Sequence, residues 1–153
     1  MLKTQTQPNI TIVYEDDHLL IIDKPAGVLS QEDHTGDADV LSLCKQYLSR
    51  SSNKTPYLGL VHRLDRPVSG LMLLAKNRGS ADNLSQQIRD RTLQKTYWAV
   101  TSGNPPQNGM LTHSLTKDCD TNIVKVIQSG RRKAKEAVLS FAKLEEHDGL
   151  NLL

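Results

Sequence analysis

Short apolar runs cut by turn signals, and interrupted by only two stretches with helical spacing, most constrain what this chain can fold into. "ITIVY" (10–14) and "HLLIIDK" (18–24) flank the acidic turn Glu15-Asp16-Asp17 and read as a β-hairpin. "YLGLV" (57–61), "GLMLLAK" (70–76), "LQKTYWAVTSG" (93–103) and the stretches 109–116, 122–128 and 136–145 read as further strands, with "LNLL" (150–153) as the beginning of another. Residues 37–50 put Val40, Cys44, Tyr47 and Leu48 at helical spacing, with Asp37 or Asp39 placed to cap the start. A second helix is predicted over 80–91, with Ser80 as N-cap, Asp82 in the first turn, and Ala81, Leu84 and Ile88 on one face. The expectation is an α+β fold: a mixed, mostly antiparallel sheet with flanking helices near 38–50 and 80–91.

At 153 residues the chain is the size of one domain and can bury a single core. A hydrophobic fraction of 37% and a charged fraction of 24% describe a soluble globular protein, and no apolar run approaches the roughly 18 residues that span a bilayer. The opening "MLKTQTQPNI" lacks the apolar centre of a secretory signal, so a cytoplasmic protein with no membrane partner is expected. Cys44 and Cys119 lie far apart and in no C-x-x-C pattern, which argues against a disulfide framework or a zinc knuckle and leaves buried, reduced thiols. His18, His34, His62, His113 and His147 show no metal-ligand spacing, and no G-x-G-x-x-G or P-loop occurs, so neither metal nor cofactor is expected. A net charge of +2 is too weak to imply nucleic acid by itself. Its distribution is more informative: Lys125, Arg131, Arg132, Lys133 and Lys135 fall within eleven acid-free residues (125–135) that suit either phosphate tracking or a solvated turn.

Between two apolar runs stands "HRLDRPVSG" (62–70). Pro67 biases Arg66 toward extended geometry and Gly70 permits a sharp reorientation, so a defined loop between two strands should carry Asp65 at the mouth of a sheet. Asp65 is then either a turn former neutralised by Arg63 or Arg66, or a carboxylate kept ionised among guanidiniums as a nucleophile or base. The residues alone leave both open. Strand alternation over 93–103 puts Lys95, Tyr97 and Ala99 on one face and Thr96, Trp98 and Val100 on the other, with Trp98 assigned to core packing. Lys24, beside Pro25, reads as loop structure.

Three stretches carry a resemblance. "HRLDRPVSGLMLLAK" (62–76) resembles the signature of RluA-type pseudouridine synthases, "IIDKPAGVLS" (21–30) their preceding Lys-Pro-x-Gly motif, and "LQKTYWAV" (93–100) their following Lys-x-Tyr strand. The resemblance implies an enzyme that isomerises uridine to pseudouridine in ribosomal or transfer RNA, without metal or cofactor. It implies Asp65 as the catalytic aspartate, Tyr97 as the tyrosine that stacks on the target base, Arg63 as the residue that displaces the target nucleotide, and His62, Arg66 and Lys95 as further substrate contacts. It also implies a domain over 10–153 after a tail of 1–9, and a continuing segment whose arginine pairs with the aspartate. The chain is thus expected to be incomplete at its C-terminus, monomeric if whole and association-prone if cut short. A non-catalytic RNA-binding remnant of the same fold is the alternative; a retaining glycosidase lacks a credible second carboxylate.

Overall fold

β1 (Thr11–Glu15) and β2 (Leu19–Lys24) form the predicted antiparallel hairpin. Asp16 closes it, because its carboxylate accepts the N–H groups of His18 at 2.7 Å and Leu19 at 2.6 Å. The computed structural model describes residues 10–50, 55–118, 123–127 and 134–153. The chain divides into two compact units, Met1–Gln94 and Lys95–Leu153.

In the first unit, β2 leads through a loop to α1 (Val40–Ser49), then to β3 (Gly59–Leu60), β4 (Gly70–Ala75) and α2 (Arg78–Arg89). The strands make one antiparallel sheet in the order β1-β2-β4-β3. Register sets Leu20 opposite Leu74 and Ile22 opposite Met72, so these four side chains share one face and meet Val40 and Cys44 of α1. All six are buried, and the large apolar ones contribute roughly 1.5–3 kcal/mol each by leaving water. Val28, Leu58 and Leu64 complete the core.

The second unit holds β5 (Val100–Ser102), β6 (Asn108–Lys117), β7 (Val124–Ile127), β8 (Lys135–Ala142), β9 (Glu145–His147) and β10 (Leu150–Leu152). They form two antiparallel three-stranded sheets, β5-β10-β9 and β7-β6-β8. Asp148 and Gly149 turn the β9–β10 hairpin with φ of 50° and 75°, the left-handed pair that an Asp-Gly turn supplies.

The mostly antiparallel α+β character holds, with strands distributed over three sheets. Several local expectations change. Asp39 caps α1, its carboxylate accepting the Ser42 N–H at 3.0 Å. Asn77, not Ser80, caps α2: its side-chain oxygen accepts the Ser80 N–H at 2.9 Å, which makes Ser80 the recipient three residues on. The strand predicted over 93–103 shrinks to Val100–Ser102, although Ala99 still exchanges backbone bonds with Leu153. Trp98 is 81% exposed rather than in the core, because it lies beyond that pairing and alternation buries a face only where something packs on it. Cys44 is buried as expected, and burial pushes its thiol up to about 12, far from a nucleophile at neutral pH. Cys119 and the basic residues Arg131, Arg132 and Lys133 lie outside the described residues, whereas Lys125 and Lys135 are exposed on β7 and β8.

Candidate active site

Asp65 stands exposed on the loop between β3 and β4, directly after the buried Leu64. The Val68 N–H donates to the Asp65 carbonyl at 3.0 Å, closing a turn around Arg66 and Pro67. At the start of the same loop, His62 accepts the Leu73 N–H on its Nε2 at 2.9 Å. The β3–β4 ladder ends at Leu60 opposite Leu74, so the imidazole takes up an amide of β4 just past the two-residue strand. Accepting there requires an unprotonated Nε2.

A second loop, from β2 to α1, is stitched to this one. Leu20, Ile22 and Lys24 alternate inward along β2, so Lys24 follows the core register and is 0% exposed. A buried ammonium is costly unless its donors are used. Lys24 Nζ donates to the carbonyls of Val28 at 2.7 Å, Pro25 at 3.0 Å and Arg66 at 3.3 Å. Burial lowers the Lys24 pKa from the ordinary lysine value, and the nearby Asp65 carboxylate opposes that shift. Gly27 bonds Arg66 twice: its N–H donates to the Arg66 carbonyl at 2.7 Å and its carbonyl accepts from Arg66 Nε at 3.0 Å. Its φ of 87° is the left-handed backbone that glycine adopts without strain. Ser30, also buried, donates its hydroxyl to the Leu64 carbonyl at 2.5 Å and accepts the Leu64 N–H at 3.2 Å.

The guanidinium of Arg66 is engaged with Asp37 at 2.8 Å, a half-exposed pair. Among the described residues no ion pair joins Asp65 to Arg63 or Arg66, a pairing on which the neutralised turn and the carboxylate held among guanidiniums both relied. His62, Arg63, Asp65 and Arg66 thus share one loop, on which Arg63 is exposed. Lys95 and Tyr97 belong to the second unit, exposed on the segment before β5, and Tyr97 is 54% exposed.

The RNA pseudouridylate synthase family profile matches residues 18–152. The chain belongs to this family. Ribosomal large subunit pseudouridine synthase C of Vibrio cholerae is 36% identical over 124 residues, covering 78% of this chain and 37% of that protein. The tRNA pseudouridine synthase C of Pectobacterium carotovorum is 35% identical over 114 residues, covering 72% of this chain and 29% of that protein. The solved structure of human RNA pseudouridylate synthase domain containing 4 is 25% identical with a TM-score of 0.73, covering 93% of this chain and 56% of that one. The chain therefore spans well under half the length of these curated relatives.

Within this member of the family, the residues that reasoning from sequence missed are Ser30 and the buried role of Lys24. The signal for Lys24 was present: in "LLIIDK" it has the parity of the core positions Leu20 and Ile22. For Ser30 there was none, because its partner is thirty-four residues away in sequence.

Proposed function

We propose that residues 10–153 act as catalytic domain of an enzyme that isomerises uridine to pseudouridine in ribosomal or transfer RNA, with Asp65 supplying the reacting carboxylate. The observation that carries this reading is an exposed carboxylate, unspent on the neighbouring arginines, on a loop tied down at both adjacent residues in a member of this family. The reaction breaks the C1′–N1 bond, joins C1′ to C5, moves a proton onto N1 and releases the C5 proton. It is an isomerisation with no net redox change, and it asks for a carboxylate, a shielded pocket and an extruded base. Extrusion costs a few kcal/mol, offset by phosphate contacts and an aromatic platform. Tyr97 is proposed for that platform, and Arg63, Arg66, His62 and Lys95 for contacts to the RNA. The names of the two curated relatives, one ribosomal and one tRNA-directed, support the substrate class.

The test is tritium release from rRNA and tRNA transcripts carrying uridine tritiated at C5, paired with filter binding. Asp65→Asn should lose at least about a thousandfold in release, the scale on which removal of a covalent or general-base group acts, while RNA affinity stays within about threefold. Release by Asp65→Asn near the unmutated rate would overturn the assignment. RNA binding by the unmutated chain with no release on either transcript would replace catalysis by the RNA-binding reading.

A further inference from the structure

The loop that presents Asp65 is fixed by side chains from a different segment, and they grip it on both sides of the carboxylate. Before Asp65, one hydroxyl holds both peptide groups of Leu64: Ser30 Oγ donates to its carbonyl at 2.5 Å and accepts its N–H at 3.2 Å. After Asp65, the Arg66 carbonyl takes the Gly27 N–H at 2.7 Å and Lys24 Nζ at 3.3 Å. Ser30 and Lys24 are themselves immobilised. Ser30 is buried against Met72 Sδ at 3.6 Å, its neighbour α1 is entered through the Leu41 N–H bond to the Ser30 carbonyl at 3.3 Å, and Lys24 has no exposed surface. Buried polar groups of this kind hold their geometry because leaving either partner unpaired costs more than the bond itself contributes.

We propose that Ser30, with Lys24 as its counterpart, is a positioning residue for Asp65: the two side chains set the backbone at residues 64 and 66 and thereby where the carboxylate stands. Neither needs to touch the RNA. This inference rests on the catalytic reading of Asp65 for its kinetic consequence, but not for its structural one. A displacement of about 1 Å at a reacting group is enough to lose on the order of a hundredfold in rate.

The experiment uses the full chain and Ser30→Ala, which removes one oxygen and leaves the core volume almost intact. Expected are a fall in kcat of roughly tenfold to a hundredfold and a KM for RNA within about twofold of the unmutated value, counted per RNA-binding-competent molecule. Ser30→Thr, which keeps the hydroxyl, should recover most of the loss. A residue needed only for folding would lower the competent fraction and the melting temperature and leave kcat per competent molecule unchanged. Lys24→Met tests the other side, and because it strands three carbonyls, Ser30→Ala remains the deciding variant. Amide exchange needs no turnover: Ser30→Ala should speed exchange at Leu64 at least about tenfold while Leu73 and Ala75 in β4 stay protected. Unchanged Leu64 exchange, or an unchanged kcat in Ser30→Ala, overturns the proposal. Turnover surviving Asp65→Asn overturns the catalytic reading instead.

Discussion

The two units both pair their described strands into antiparallel sheets and bury their side chains very differently. In Met1–Gln94, nine apolar residues make one buried cluster beneath a four-stranded sheet and α1. In Lys95–Leu153, Asn151 is the one buried residue among those described. The ten-residue β6 is nevertheless laddered along its whole length, to β8 over Asn108–Leu115 and to β7 over Ser114–Lys117. Register gathers Leu111 with Leu139, and Leu115 with Val126, on one face of that sheet, where Val126 is 63% exposed. Hydrogen bonding therefore does not distinguish the units; burial does. Because a backbone bond nets only about 1 kcal/mol against water while burial is the main favourable term, the first unit should be the rigid one. The Asp65 loop is anchored in that unit, whereas Tyr97 and Lys95 stand on the other.

The largest expected effect comes from removing equal volumes on the two sides. Leu74→Ala empties a fully buried site opposite Leu20 in the core cluster and should destabilise by roughly 2–5 kcal/mol. Leu139→Ala removes a half-exposed side chain and should stay within about 1 kcal/mol. Urea titration with amide exchange read separately over each unit checks this. Equal costs would mean that the β6–β8 face is covered in solution, and the contrast between the units would collapse.

Trp98 sharpens the same contrast by a smaller and more local signal. It is the single tryptophan, it belongs to the second unit, and it is 81% exposed. Its emission should match that of a water-exposed indole and be quenched by acrylamide nearly as readily as a free one. Trp98→Ala should change stability by no more than about 0.5 kcal/mol. A blue-shifted, protected tryptophan would show that the segment before β5 is packed.

How much was legible in the sequence follows the same division. In the first unit, the apolar runs in "HLLIIDK" and "GLMLLAK" located β2 and β4, and helical spacing located α1, because each pattern is stamped by a core that exists. Where two good caps compete, as Asn77 and Ser80 do, spacing cannot say which one closes the helix, and Asn77 does. In the second unit, alternation over 93–103 promised a buried Trp98, but a period of two states only that faces differ, not that one is covered. The β9–β10 hairpin was signalled by Asp148-Gly149 and passed over, since the few residues following it resembled a strand with no partner. At the site, the spacing of "HRLDRP" placed Asp65 on its loop. What holds the loop was not legible, because Ser30 to Leu64 and Lys24 to Arg66 are contacts between distant segments.

A further expected effect, also of small size, is electrostatic. Glu15 donates nothing and accepts twice, from Lys76 Nζ at 2.8 Å and from the Tyr47 hydroxyl at 3.0 Å, so its pKa is lowered, chiefly by the Lys76 bond and against some desolvation. A carboxyl whose folded pKa is depressed binds fewer protons in the folded state than in the unfolded one. Its stabilisation is therefore fully present above the ordinary value of 4.5 and is lost as pH falls through the lower folded value. Glu15→Gln should flatten the fall in stability below that value and lower stability at neutral pH by roughly 0.2–1 kcal/mol, the scale of a surface pair. In the second unit, Glu146 pairs with Lys143 at 2.8 Å with its side chain 58% exposed, and Glu146→Gln should leave stability unchanged within about 0.3 kcal/mol. The bond lengths are the same; what differs is that Glu15 ties β1 to α1 and to Lys76 beyond β4, while Glu146 reaches only three residues back along its own segment. Chemical denaturation of both variants between acid and neutral pH reads the difference directly. An equal loss in the two would show that the bridges act as isolated surface pairs and owe nothing to the unit in which they sit.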